Sequence, residues 1–323
     1  MRKLLGAVVA LGAVATAALA VDPPAAIQAH IAKADALAPV KTLASSDFVF
    51  FGDRYCHPKE QAAEFAAAEV KAWRAMNLPP TQVFDNLYYV GHAQYGAWIV
   101  KTSAGLILLD ALDSPDEARQ YIEGGMAKLG LDPKQIKIMI VSHGHGDHYG
   151  GAKYLHDKYG MKVALSELDW ALMARSPVTE KRGPVPAKDM VIADGQIVTL
   201  GDTQIKYLIT PGHTPATLSS LFKVYDHGVP HMVSFWGGTA YPRDKATMAM
   251  YEASIRKLWK EGTAMKADTL ISNHPYLDTT LAALPKMTSR KPGEPHPFVI
   301  GTAAYERYMT LMDECALANL GKL

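Results

Sequence analysis

The segment Ser142-His143-Gly144-His145-Gly146-Asp147-His148-Tyr149-Gly150-Gly151 constrains this chain more than any other. Three imidazoles and a carboxylate fall within six positions, and all four side chains are ligands for divalent metals. The glycines between them let a tight loop aim successive side chains at one volume without clashes. An apolar run too short for a helix, Ile136–Val141, precedes the segment, and a helical pattern from Ala152 to Tyr159 follows. A histidine-rich surface turn needs neither the glycine punctuation nor that strand-then-helix setting. The segment therefore reads as a metal-binding loop at the end of a strand.

A catalytic metal centre needs ligands from elsewhere in the fold, and two later histidines stand where that requirement predicts. His213, in Thr210-Pro211-Gly212-His213-Thr214-Pro215, follows an expected strand over Ile205–Ile209, and His274, in Ser272-Asn273-His274-Pro275, follows one over Thr269–Ser272. Six ligands suit two zinc ions with three protein contacts each, leaving open positions for water and a small-molecule substrate. His30, His57, His156, His227, His231 and His296 have no partner pattern and read as surface or core residues. His92 lies in a hairpin loop with Tyr95 and Trp98, either bordering the cleft or in ordinary packing.

Around these motifs the chain mixes strands and helices. Short apolar runs at 83–84, 87–90, 97–100 and 106–109 predict strands in hairpin succession, and Pro115–Leu129 predicts a helix. A second half follows, with strands near 197–200, 205–209, 218–224, 232–235 and 269–272 and a helix over Lys245–Glu261. Two sheets face to face, with helices on both outer sides, account for that order. Lys181–Lys188 reads as an irregular loop, and Thr302–Asn319 as a closing helix.

Residues 1–20 carry Arg2, Lys3, an apolar run to Leu19 and a small-residue end at Ala18-Leu19-Ala20, the pattern of a cleaved signal peptide. Residues 21–80, Ala-rich and with an expected helix over Lys59–Ala75, form an N-terminal extension, and 81–323 form the main domain. A periplasmic or secreted location follows, with no membrane attachment after cleavage. Taking Arg2 and Lys3 from the 33 basic residues leaves 31 against 32 acidic ones, and with no run of Lys or Arg a nucleic-acid partner is excluded. Export permits a bridge between the two cysteines, Cys56 and Cys315, although two separate buried thiols satisfy the sequence equally well. Neither belongs to a metal-binding cluster.

His143-x-His145-x-Asp147-His148, followed by Gly212-His213-Thr214 and Asn273-His274-Pro275, closely resembles the metallo-β-lactamase superfamily. The resemblance implies an α/β fold, a four-layered αββα sandwich. It also implies that His143, His145 and His213 hold one zinc while Asp147, His148 and His274 hold the other. Three histidines against Asp-His-His, without a cysteine ligand, is similar to the third subclass of these β-lactamases. Many other hydrolases of the superfamily have a Gly-Asp-Thr segment whose carboxylate bridges the metals. Here that segment looks like Gly237-Gly238-Thr239, so the bridge is absent, and Thr239 takes the place of a serine hydroxyl of the lactamase subclass. The flavodiiron branch has Glu where this chain has His145, which favours zinc. The expected activity is a hydroxide held by two zinc ions opening a cyclic amide, most of all a β-lactam, with Asp147 orienting the hydroxide and Thr239, Trp236 and Trp98 as substrate contacts. A lactone or other ester is the alternative substrate, and a zinc-binding protein without turnover is the reading from a different class.

Overall fold

Apolar runs broken by Asn86, Gly91 and Gly105 fold into an antiparallel meander of β1 (Thr81–Phe84), β2 (Leu87–Tyr89), β3 (Trp98–Thr102) and β4 (Gly105–Leu109). The computed structural model describes residues 24–37, 56, 76–179, 181–182 and 184–323. The expected signal peptide and the expected Lys59–Ala75 helix lie outside the described residues. Beyond β4 the strands run parallel: β5 (Ile136–Ile140), β6 (Lys162–Leu165) and β7 (Met190–Val191) complete a seven-stranded sheet in sequential order. Parallel neighbours need crossovers. These are the helical turns Pro115–Glu117, Ala118–Glu123 and Gly124–Lys128, then the helices Ala152–Tyr159 and Glu167–Ala174.

The second sheet has the order β12-β11-β10-β9-β8, from β8 (Ile197–Leu200), β9 (Thr203–Ile209), β10 (Leu218–Asp226), β11 (Val229–Trp236) and β12 (Thr269–Ser272). The β10–β11 hairpin turns at His227-Gly228, whose φ values of 49° and 82° match the twist of the flanking strands. Side-chain alternation separates two cores. Ile205 and Tyr207 of β9 pack with Val100 and Ile140 of the first sheet, whereas Leu208, Leu221 and Trp236 face the helices Lys245–Ala264 and Thr302–Lys322. Two mixed sheets flanked by helices give the αββα order that the family resemblance implied.

Three helices of eight or more residues among the described residues were not anticipated: Pro24–Leu37, Glu167–Ala174 and Thr280–Met287. Glu167–Ala174 is short and weakly amphipathic, and Thr280–Met287 contains Pro285, a residue that argues against helix from sequence alone. Trp98 and Trp236 are corrected from substrate contacts to core residues. Trp98 is completely buried with its indole N–H donating to the Ser272 carbonyl at 3.1 Å, and Trp236 is 2% exposed and donates to the Tyr251 hydroxyl at 3.1 Å. Filling the layers stabilises more than rim exposure would, roughly 1.5–3 kcal/mol for each large side chain buried.

The described part of the N-terminal extension packs on the last helix. Within Pro24–Leu37, His30 Nδ1 lies 2.5 Å from Glu314 Oε2 and Lys33 Nζ 3.3 Å from Glu314 Oε1. Cys56 and Cys315 form a disulfide with Cα atoms 4.7 Å apart, which decides between the two readings of the cysteines. Among the described residues no helix is long and apolar enough to cross a membrane.

Candidate metal centre

Every candidate ligand leaves the end of a strand. His143, His145, Asp147 and His148 follow β5, His213 follows β9, and His274 follows β12. His143 Nε2 lies 3.1 Å from His213 Nε2, which is 3.2 Å from His145 Nδ1. In the neighbouring set, Asp147 Oδ2 lies 3.4 Å from His148 Nε2 and 3.9 Å from His274 Nε2. The rings of His143 and His148 are 4.2 Å apart, so the two triads share a wall. His143 and His148 are fully buried, while His145 stands exposed at the mouth.

The outward nitrogens settle what the convergent ones offer. His143 Nδ1 faces the Gly237 carbonyl at 2.8 Å, His213 Nδ1 the Ala240 carbonyl at 2.9 Å, and His274 Nδ1 the Gln94 carbonyl at 2.9 Å. His148 Nδ1 faces Asp110 Oδ2 at 2.9 Å. Carbonyl and carboxylate oxygens only accept, so each ring donates outward, and a neutral ring then presents a bare lone pair inward. Two such lone pairs 3.1 Å apart, on His143 and His213, repel unless a cation lies between them. His148 Nε2 is likewise buried with no hydrogen-bond partner among the described residues. Two donor groups converge closely enough to hold a divalent ion, His143 with His145 and His213, and His143 with Asp147 and His148, consistent with a binuclear centre; His274 Nε2 stands 3.9 Å from Asp147 Oδ2 beside the second.

Electrostatics agree with the geometry. Burial, reinforced by the surrounding imidazoles, holds His143 well below the usual histidine range and takes His213 down to about 4 and His274 to about 3. All three are neutral ligands at neutral pH. Burial also disfavours charge on His148, but Asp147 and Asp110 on either side outweigh it and lift its pKa to about 10. Burial opposes ionisation of Asp147, yet His148 and His274 outweigh it and hold the carboxyl far below the usual range. Negative charge thus gathers around His148, where a cation is required.

Asp110 was not singled out from the sequence. Its Oδ1 accepts from the Ser142 backbone N–H at 2.6 Å, and its Oδ2 from the Ser142 hydroxyl and His148. It holds a φ of 63°, a conformation that costs a non-glycine residue on the order of 1–3 kcal/mol and is kept by these bonds. The available signal was a carboxylate directly after the apolar run Leu106–Leu109. Asn273, also unassigned, donates to the Gly237 carbonyl at 2.6 Å and the Ser142 hydroxyl at 3.0 Å, tying the β5, β11 and β12 ends together.

The rim has several sources. The Tyr95 ring lies 5.6 Å from that of His274, while His92 turns away towards Glu117 and Tyr121. Thr239 is 1% exposed, and its hydroxyl has no hydrogen-bond partner among the described residues. At Gly238 an added Cβ would lie 2.8 Å from His213 Cβ and 2.9 Å from Thr217 Cγ2, so a carboxylate side chain there would force the His213 loop to move. Arg182 packs against Gly146 and donates through Nε to Asp113 Oδ1 at 2.8 Å; Lys181 pairs with the other Asp113 oxygen. One nearly buried carboxylate therefore faces two cations beside the metal loop. Of the remaining histidines, His231 pairs with Asp268, His156 with Asp157, and His296 stacks on Phe84. His57 lies outside the described residues.

An αββα sandwich whose strand ends gather three histidines beside an Asp-His-His set defines a metallohydrolase. A family model of the metallo-β-lactamase superfamily matches residues 93–229 of the chain. It is 30% identical over 97 residues to a hydroxyacylglutathione hydrolase of Rhodopseudomonas palustris, a match covering 30% of this chain and only 33% of that enzyme. Among solved structures it is similar to BJP-1, a subclass B3 metallo-β-lactamase of Bradyrhizobium japonicum, with 28% identity and a TM-score of 0.61 over 75% of this chain and 92% of that one. FEZ-1, a metallo-β-lactamase from Legionella gormanii, shares the fold at 24% identity and a TM-score of 0.61, over 72% of this chain and 91% of that one.

Proposed function

We propose that the protein is an exported dizinc hydrolase that opens a cyclic amide, most of all a β-lactam. The observation that carries this reading is the pair of triads, His143, His145, His213 and Asp147, His148, His274, with no cysteine ligand and no room for a bridging carboxylate at Gly238. Similarity to BJP-1 supports the same choice. Bound in these triads, zinc supplies Lewis acidity and an activated water at neutral pH. The protein's own groups do the rest. Asp147 stays ionised at every working pH, so its carboxylate accepts the hydrogen bond that orients the attacking water. Burial, then Asp147, raises the Tyr95 phenol far above the working range, which keeps an O–H donor at the rim. Arg182 and Lys181 supply the positive charge that an anionic small-molecule substrate needs.

A second reading, hydrolysis of a lactone, thioester or other ester, is favoured by the local likeness to hydroxyacylglutathione hydrolases. A panel of penicillins, cephalosporins, carbapenems, lactones and glutathione thioesters on zinc-loaded protein separates the two. The expected result is β-lactam opening, abolished by EDTA and restored by zinc. Intact β-lactams beside turnover of an ester would overturn the first reading, and no turnover at all would overturn both.

A further inference from the structure

We propose that Asp169 is a positioning residue for the first triad, its buried carboxylate holding the loop of His213 while the backbone of its helix backs the loop of His143 and His145. Asp169 lies in the first turn of the Glu167–Ala174 helix with no exposed surface. Thr214, next to His213, donates its hydroxyl to Oδ2 at 2.5 Å, and Ala216 donates its backbone N–H to Oδ1 at 3.2 Å. The His213 loop therefore hangs on this side chain through charge-assisted hydrogen bonds, which are roughly twice as strong as neutral ones.

The approach is close enough to need glycine. A Cβ at position 144 would lie 2.7 Å from the Asp169 carbonyl oxygen and 3.2 Å from the Leu172 side chain, so the metal loop rests directly on this helix. His145 shows why the clamp matters. His143, His148, His213 and His274 each have an oxygen acceptor on the outward nitrogen, whereas the His145 ring, beside His143 and His213, has no oxygen acceptor among the described residues, its one close polar approach being 3.2 Å to His213 Nε2. Its placement is left to its backbone, and Gly144 is where that backbone is held. The division of labour is also electrostatic: Asp147 and Asp110 flank the second triad, the first has no carboxylate ligand, and Asp169 is the buried carboxylate behind it.

The inference rests on the reading that the first triad binds metal, and the test separates the two. His274→Ala leaves the first triad alone and His213→Ala leaves the second, so Asp169→Asn in each background reports on one site. Chelator competition with zinc, together with the visible spectrum of the cobalt-loaded protein, measures affinity and ligand geometry without any substrate. Asparagine keeps the shape and an acceptor for Thr214 but turns an N–H donor towards a backbone N–H donor. The expected result is a ten- to hundredfold loss of first-site affinity with an altered cobalt spectrum, and less than a threefold change at the second site. Thr214→Val, which removes one bond to the carboxylate, should produce a smaller loss at the same site and carries the test should Asp169→Asn not fold. Equal losses at both sites, or an unchanged first site, would overturn the proposal. Absence of metal binding in His274→Ala alone would instead overturn the first-triad reading.

Discussion

Asp110→Asn is expected to weaken metal binding at the second triad by ten- to hundredfold, about 1.4–2.7 kcal/mol. Asp110 is 1% exposed and accepts three hydrogen bonds, from the Ser142 N–H at 2.6 Å, the Ser142 hydroxyl at 2.9 Å and His148 Nδ1 at 2.9 Å. The amide keeps one acceptor, and Ser142 can retain it. His148 then faces an N–H₂ group, so its proton moves to Nε2 and the lone pair needed by the metal is lost. Worked through, the sign depends on pH. In the wild type a metal must displace a proton from His148, whose pKa stands at about 10, a competition that costs up to tenfold in affinity for each pH unit below that value. Losing one of its two flanking carboxylates lowers that pKa, so the variant's relief from proton competition, relative to the wild type, is larger at pH 6.5 than at pH 9. The deficit should therefore widen as pH rises. Chelator competition at both pH values, in a His213→Ala background that isolates the second triad, reads it directly. Wild-type affinity at both values would refute the claim that Asp110 sets the tautomer, and a deficit that shrinks with pH would refute the proton bookkeeping.

His213→Ala and His274→Ala should each reduce the metal content to one ion per chain with secondary structure retained, as read by elemental analysis and circular dichroism; two ions in either variant would remove that histidine from the ligand set. Asp278 offers a test away from the ligands. Burial pushes its carboxyl up to about 7 against weaker help from Thr280 and Ser272 for the charged form, and its Oδ2 is buried without a partner among the described residues. A folded pKa raised above the unfolded one means that the folded state binds the proton more tightly, so this group's contribution to stability is fullest at low pH and falls by about 1.4 kcal/mol per pH unit between pH 4 and 7. Asp278→Asn should flatten that slope in denaturant titrations and be the more stable protein at pH 8. Replacing Cys56 and Cys315 together by Ala should cost about 2–5 kcal/mol of stability, by freeing the extension from the last helix, and leave metal content unchanged.

The sequence alone carried whatever is local. Ligand spacing in His143-x-His145-x-Asp147-His148, the glycines that let the loop close, and the strand before it are properties of a few consecutive residues, and they sufficed to mark the loop and the class of chemistry. The runs 197–200 and 269–272 coincide with β8 and β12 because hydrophobic alternation and length are also local. Tertiary structure decided what depends on distant partners. Asp110, Asn273 and Asp169 act through atoms 32 to 131 positions away along the chain, and nothing in their own neighbourhoods distinguishes a carboxylate that orients an imidazole from one that faces water. Trp98 and Trp236 flank the motif in sequence but point into two different cores, because a strand sends alternate side chains to opposite faces and only packing of the second face shows which is covered. The cysteines, 259 positions apart, are brought together by the packing of the first helix on the last, a proximity that no spacing rule encodes.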